Sequence, residues 1–335
     1  MPLLMRDIVP MRIINAKTTY ELLTMDDCIL SMRKAIEAIS NKKIVMPSRL
    51  VMALPESSDF MGVMPAASYG VSIYGTKCLS VHAKNPGIGL PAVQGFMALF
   101  DYATGTPIAL IDGAALTAIR TAATTALATQ ILARKDVATQ AICGTGAQAQ
   151  THAAAILAAC PSLKETIVWG RDIDRAEELS KYIAAKHEVS VTCVQSLQEA
   201  AGCDIVSMVT SAKTPLLKGA WLKSGSHVNL IGSHSPQTRE ADTEAICKAQ
   251  VYVDCVESAK REAGDILMPI QEGKISWGHV VGEIGEVSLG KIRGRKTEEE
   301  ITLFKSTGVG GQDLFAAIAL LKSAEAKGLG ELVSM

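Results

Sequence analysis

Several short runs of this chain carry residue types at spacings that could do chemistry. In "AICGTGAQAQTHAAAIL", Gly144 and Gly146 follow an apolar stretch and lead into a helical one, with Ala149 at the third position of G-x-G-x-x-A. Glycine at the first position permits a tight turn, at the second it lets a pyrophosphate approach the backbone, and the small third residue lets helix and strand pack closely. The helix start then offers free N–H groups and a positive dipole end to the phosphates. Strand, loop, helix and following strand are all present, so the run is read as a dinucleotide site rather than a structural turn.

The next apolar strand ends in "IVWGRDID". An NAD site usually places an acid there for the ribose hydroxyls, whereas Arg171 can pair with a 2'-phosphate and stack on adenine. NADPH is therefore preferred, and Asp172, one residue late, keeps NADH open. The bland reading of Arg171 is a solvated surface charge.

Cations inside apolar runs are natural clamps for a carboxylate that must be fixed against a nicotinamide. Arg49 in "MPSRLVMAL", Lys77 in "YGTKCLSV" and Arg120 in "LTAIRTAATT" have that setting. Taken singly, each is more ordinarily a surface charge; as a set beside a dinucleotide motif they form a candidate clamp. Finally, "VNLIGSHSPQTRE" reads as a buried strand that breaks into small and polar residues, with His234 at its lip. An imidazole with an unperturbed pKa of about 6.5 can supply or relay a proton near neutrality. The alternative is that His234 only lines a pocket, and His82 in "SVHAKNP" is a further proton-handling candidate.

These residues need a scaffold, and 335 residues suffice for about two domains. From about residue 138 onward, strands alternate with helices: "TQAICGTG", "AQAQTHAAAILAAC", "ETIVWGR", "DRAEELSKYIAAKH", "VTCV", "SLQEAAGC", "DIVSMVT", "HVNLIGS" and "QVYVDC". That spacing means a parallel sheet with right-handed crossovers. Before about residue 115, a helix over "MDDCILSMRKAIEAIS" is followed by β-like runs from "SRLVMAL" to "TPIALID", separated by turn residues as in hairpins of an antiparallel or mixed sheet. "GAALTAIRTAATTALATQILA" is a long Ala-rich helix joining the halves, and "QDLFAAIALLKSAEAKGLG" is a helix able to fold back on the first domain.

Composition narrows the function classes. Lys plus Arg total 33 against 34 for Asp plus Glu, which favours neither nucleic acid nor an anionic membrane, and aromatics are only 4%. No apolar run approaches the ~20 residues that span a bilayer, and the N-terminal "MPLLMRDIVPMRIINAK" mixes charges into its apolar part, so a cytoplasmic protein is expected. The eight cysteines show no C-x-x-C pair and are read as buried free thiols, with no metal site expected.

The run "GLPAVQGFMALFDYATGTPIALIDGAALTAIRTAATTALAT", the loop "GTGAQAQ", the strand "DIVSMVT" and the C-terminal "TLFKSTGVGGQDL" together resemble the ornithine cyclodeaminase and mu-crystallin family, over nearly the whole chain. The resemblance implies a homodimer whose first domain carries the dimer sheet and receives the C-terminal helix, with the active site in a cleft against the dinucleotide domain. It implies that Arg49, Lys77 and Arg120 surround the substrate carboxylate; the catalytic candidates are Lys77 and, from its own chemistry, His234. Thr121, Gly144, Thr145, Gly146, Ala147, Gln148 and Val309, together with Arg171, would hold the cofactor. The expected fold is α/β: a Rossmann-type doubly wound parallel sheet over 120–299, and a mixed or antiparallel α+β substrate and dimerisation domain over 1–119 plus 300–335.

Cyclodeaminases of this kind carry an aspartate after the strand, in a pattern like G-G-D-x-P-G, where it handles the substrate amine and activates water. Here "GSHSPQ" places His234 at that position and removes the carboxylate. That departure argues against ornithine cyclodeaminase and amino-acid dehydrogenase and leaves the step that needs no water, reduction of a C=N bond. The expected reaction is therefore NAD(P)H-dependent reduction of a cyclic imino acid, Δ1-pyrroline-2-carboxylate to L-proline or Δ1-piperideine-2-carboxylate to L-pipecolate. A non-catalytic ligand-binding protein that has kept the fold is the alternative of a different class.

Overall fold

The computed structural model describes residues 10–334, so the expectation for the N-terminal segment falls largely outside the described residues. In chain order the elements are β1 (Met11–Ile14), α1 (Ala16–Leu22), α2 (Met25–Ser40), β2 (Ile44–Val45), β3 (Leu50–Ala53), β4 (Phe60–Ser68), β5 (Ile73–Val81), β6 (Val93–Asp101), β7 (Pro107–Asp112) and α3 (Gly113–Leu132). There follow β8 (Thr139–Cys143), α4 (Ala147–Ala159), β9 (Glu165–Trp169), α5 (Ile173–Lys186), β10 (Ser190–Val194), α6 (Leu197–Ala201), β11 (Ile205–Met208), β12 (His227–Leu230), α7 (Thr243–Lys248) and β13 (Ala249–Val253). The chain closes with α8 (Val256–Glu262), α9 (Gly264–Gln271), β14 (Val280–Glu283), α10 (Ile284–Ser288), β15 (Ile301–Lys305), α11 (Gly310–Lys327) and β16 (Glu331–Val333). Among the described residues no helix is long and apolar enough to cross a membrane.

The chain divides into two compact units, after Arg120 and again after Gly308. The expected boundary at 299/300 therefore moves to 308/309. The reason is that Ile301–Lys305 is not a connection but a parallel strand, inserted between β12 and β13. Its sequence "ITLFK" is buried from Thr302 onward, the pattern of a strand covered on both faces rather than of a linker.

The first unit is a mixed eight-stranded sheet in the order β16-β1-β7-β6-β5-β4-β2, with β3 also paired to β4. All its pairings are antiparallel except β1 with β7. Side chains alternate across a strand, so Met64 and Ala66 on β4, Lys77 on β5, Met97 and Leu99 on β6, and Ala109 and Ile111 on β7 are all buried. Helices α2 and α11 pack together, and α11 lies against β4, β5 and β6. Helix α2 is amphipathic, with Cys28, Met32, Ala35, Ile36 and Ile39 inward. Thr24 caps its start by accepting the Asp27 N–H at 3.2 Å. Close approach of α11 to β4 requires glycine, because a Cβ on Gly310 would meet the Pro65 carbonyl at 2.9 Å. The opposite sheet face keeps large apolar groups open, among them Phe96, 41% exposed.

The second unit is an eight-stranded parallel sheet in the order β10-β9-β8-β11-β12-β15-β13-β14. Strands β11 and β12 are buried at every residue, as parallel strands covered by helices must be. Ala141, Val206, Val228, Leu303 and Val251 carry the core across neighbouring strands. The interior also holds a fully partnered polar row. His227 bonds Thr302 Oγ1 at 2.9 Å and Asn229 Oδ1 at 3.1 Å, and Asn229 donates to Ser207 and Thr129, each at 3.2 Å. Connections leave β8 for β9 on one side and, further along the chain, reach β11 on the other. The C-terminal ends of β8 and β11 thus flank the point where an open parallel sheet binds its ligand.

Candidate active site

The glycine loop has the geometry its sequence requires. Gly144 is buried with φ +129°, and a Cβ there would meet the Val209 carbonyl at 2.8 Å, so only glycine fits. Gly146 has nothing within 4 Å of a Cβ position, leaving open space at the start of α4. It is the N-cap of α4 and offers no side chain to the helix's first N–H groups. Ala149 at the third motif position is fully buried, and Gln148 Oε1 is buried without a hydrogen-bond partner. Free helix N–H groups and an open approach fit the pyrophosphate of a dinucleotide.

The end of β9 lies against this loop. A Cβ on Gly170 would meet Thr145 Cγ2 at 2.6 Å. Arg171 and Arg175 are both exposed there, and Arg175 reaches the Thr145 carbonyl at 3.5 Å. Asp172 is already engaged as the N-cap of α5, accepting the Arg175 N–H at 3.2 Å. Two guanidinium groups thus lie beside the loop, with Asp172 committed to the helix and Asp174 exposed in the helix's first turn.

In the first unit, two of the three expected clamp cations meet on one acid. Lys77 Nζ and Arg120 Nε each lie 2.8 Å from Oδ1 of Asp313, in the first turn of α11. Arg120 also donates to Gln312 Oε1 at 2.8 Å, and Lys77 to Thr117 Oγ1 at 3.3 Å. Lys77 and Asp313 are essentially inaccessible and Arg120 is buried. Burial pulls the Lys77 ammonium down to about 7, with Asp313 opposing and the charges of Arg120 and Arg49 adding to the fall. Burial works to raise the Asp313 carboxyl, but Arg120 and Lys77 together hold it below the usual carboxylate range. Arg49, half-buried just before β3, joins this group through its field on Lys77. The cluster holds more positive than negative charge, and Asp313 Oδ2 is buried without a hydrogen bond. An anionic group of a substrate would balance it.

His82 does not belong to this cluster. Its Nδ1 lies 3.1 Å from Asp59 Oδ2 and its backbone N–H bonds the Ala92 carbonyl, partners at the ends of the β4–β5–β6 hairpins. Thr121 begins the second unit and is buried, its carbonyl accepting the Thr125 hydroxyl at 3.0 Å. Val309 begins the return to the first unit as the N-cap of α11 and is buried.

His234 is exposed in the loop after β12, in the second unit. That loop is tightly held. Ser233 Oγ donates to the Thr238 carbonyl at 2.7 Å, and Gly232 N–H donates to Glu240 Oε2 at 2.6 Å. A Cβ on Gly232 would meet the Thr210 carbonyl at 1.9 Å, so this turn cannot carry a side chain. Beneath it are Glu240, Asp265 and Lys305, all fully buried and none singled out by sequence pattern. Lys305 was legible as a charge ending an apolar run, and Asp313 as an acid opening an apolar helix after paired glycines. Of the cysteines, Cys28, Cys143, Cys160, Cys203 and Cys255 are buried free thiols; Cys78 and Cys193 are half-buried and Cys247 on α7 is exposed, which departs from the expectation.

Known proteins are similar to this chain over most of its length. The chain is 33% identical over 325 residues to a Δ1-pyrroline-2-carboxylate reductase of Bacillus cereus, covering 96% of this chain and 99% of that one. It is 35% identical over 277 residues to the ketimine reductase mu-crystallin of Mus musculus, covering 82% and 83%. The solved structure of Thermococcus litoralis Δ1-pyrroline-2-carboxylate reductase, in complex with NADH and L-proline, superposes with a TM-score of 0.93 at 32% identity, covering 96% of this chain and 99% of that one. The ornithine cyclodeaminase/mu-crystallin family model matches residues 11–328, and the chain belongs to that family.

Proposed function

We propose that this protein is an NAD(P)H-dependent reductase of a cyclic ketimine, Δ1-pyrroline-2-carboxylate to L-proline, with the six-membered Δ1-piperideine-2-carboxylate as its close analogue. The observation that carries the reading is His234 in the loop after β12, a loop that has no carboxylate between Ile231 and Arg239. Cyclodeamination needs an acid to handle the substrate amine and activate water; imine reduction needs only a proton and a hydride. The relatives named for ketimine reduction support the same chemistry.

The roles follow from chemistry. Arg120 and Arg49 bind the substrate carboxylate, a bidentate guanidinium contact fixing the ring. Lys77 completes the clamp, and its ammonium, poised near neutrality, is one group able to keep the imine nitrogen protonated. His234 is the other. The loop 144–149 holds the dinucleotide with Thr121 and Val309, and Arg171 takes the 2'-phosphate, which favours NADPH while NADH remains usable. The bound cofactor supplies the hydride to C2, and the proton on nitrogen completes the secondary amine. The half-open apolar sheet face, together with β3, whose Leu50, Val51 and Met52 are 61%, 55% and 49% exposed, supports pairing with a second copy as a homodimer.

The test is NADPH oxidation with Δ1-pyrroline-2-carboxylate, run beside ammonia release from L-ornithine. Oxidation with silent ornithine supports the reading. Ammonia release would mean another group has taken over the acid's part, and stoichiometric binding without turnover would make the chain a ligand-binding protein.

A further inference from the structure

The loop bearing His234 is tied to its neighbours by groups with no place in the chemistry above. Glu240 Oε1 accepts the Thr210 backbone N–H at 2.8 Å and its hydroxyl at 2.7 Å, while Oε2 accepts the Gly232 N–H. One carboxylate thereby joins the turn after β11 to the turn after β12, two adjacent strand ends of the parallel sheet. Asp265 Oδ1 accepts the N–H of Glu240 at 2.7 Å and of Ala241 at 3.1 Å, anchoring the far end of the loop to α9. Lys305, at the end of β15, lies 2.9 Å from Asp265 Oδ2 and donates to the carbonyls of Leu230 and Ser233. Gly264, at the start of α9, closes the packing: a Cβ there would meet the Thr238 carbonyl at 2.1 Å and that of Ser235 at 2.6 Å.

We propose that Glu240, Asp265 and Lys305 are positioning residues, a buried frame that fixes His234 and the Thr210 turn for the reaction without touching substrate. The inference rests on the ketimine-reductase reading for what the frame serves, but its geometry stands apart from it. Burying two carboxyl groups and one ammonium is costly unless their polar atoms are partnered; burial pushes Glu240 up to about 7 against the pull of Lys305, and the bonds of the frame end on backbone of the loop and of the strand end before it, on the Thr210 hydroxyl or on another member. A group kept only to stabilise the core could be apolar. A group kept to hold a particular loop conformation must grip backbone, as these do.

Glu240→Gln keeps the shape but turns one of the two accepting oxygens into an amide NH2, so the bonds from Thr210 and from Gly232 cannot both survive. Its effect is read by backbone amide exchange, NADPH dissociation constant and kcat for Δ1-pyrroline-2-carboxylate reduction. Exchange should quicken about tenfold or more in peptides spanning 209–212 and 230–241 and stay unchanged in 139–160. NADPH affinity should hold within about two-fold, while kcat falls on the order of 10- to 100-fold with little change in KM. Unaltered exchange in the two turns, or equal quickening in 139–160, would overturn the proposal; the second would mark plain loss of stability. If Glu240→Gln does not fold, the paired change Lys305→Met with Asp265→Asn, which removes opposite charges together, takes the same measurements, and the same results support or overturn the frame. A wild-type protein that reduces no imine refutes the ketimine reading, while the exchange comparison still decides whether the frame holds the loop.

Discussion

Lys77 Nζ lies 2.8 Å from Asp313 Oδ1 although 236 residues separate them in sequence, and both side chains are buried. The strand that carries Lys77 is among the early elements of the chain, and the helix that carries Asp313 is the last one before the closing strand β16. The contact makes the carboxylate the common counter-ion of Lys77 and Arg120. Asp313→Asn would leave two buried cations facing a neutral amide, so stability should fall by about 3–5 kcal/mol. Denaturant unfolding of the variant measures this, together with a loss of imine kcat/KM. Wild-type values of both would remove Asp313 from the site.

The Lys77 ammonium sets a pH limit. Its pKa in the folded protein is pulled down to about 7, so the charge is present below that value and disappears as pH rises through it. If charged Lys77 holds or protonates the substrate, kcat/KM should fall about tenfold per pH unit above roughly 7. Lys77→Arg keeps its charge at every accessible pH, so the fall should move to higher pH even if the peak rate is lower. A profile unchanged by Lys77→Arg assigns the break to the substrate or to another group.

Arg171→Ala should raise KM for NADPH by about tenfold or more while altering KM for NADH little, because only NADPH presents a 2'-phosphate to a guanidinium. Arg175→Ala should act in the same direction, since Arg175 approaches the same loop at the Thr145 carbonyl. Steady-state kinetics with both cofactors decide it, and equal changes for the two would reject the assignment.

Acid should unfold the second unit through its buried imidazoles. Burial lowers His152 to about 4, and burial with the Arg295 charge lowers His227 to about 3. The unfolded chain takes up a proton at each near pH 6.5, so these two groups withdraw stability as pH falls from about 6.5 toward 4. Glu240, raised by burial to about 7, works the other way over the same range, because the folded chain keeps a proton there that the unfolded chain sheds. The two imidazoles outweigh the one carboxyl, and the net loss should be on the order of 3 kcal/mol at about pH 4. Thermal melts at neutral and acid pH test this, with His152→Gln expected to flatten the dependence. A melting temperature indifferent to pH between about 7 and 4 would count against it.

What could be read in advance was mostly local. The 144–149 loop is legible because turn, phosphate approach and helix start lie in consecutive residues, and the strand–helix alternation from 138 onward is local in the same sense. Lys77 and Arg120 were legible as charges interrupting apolar runs, although nothing near them in sequence names their partner. Asp313, Glu240 and Asp265 carry no local signal of their roles, because their burial comes only from tertiary packing. The strand Ile301–Lys305 went to the wrong unit for a similar reason: a parallel neighbour can come from anywhere in the chain.

The antiparallel pairing of β1 with β16 and the packing of α11 on α2 have a consequence for how the molecule is made. Residues 121–308 form one contiguous unit and can fold while the chain is still emerging from the ribosome, since every strand of their sheet lies in that stretch. The first unit must wait. Its early strands stay without the helix that covers them, and Lys77 and Arg120 without their counter-ion, until synthesis has passed α11. Translation order thus makes assembly of the cation cluster one of the last events in folding, and a released chain ending before Val309 would hold every strand of the parallel sheet but lack the helix that carries Asp313.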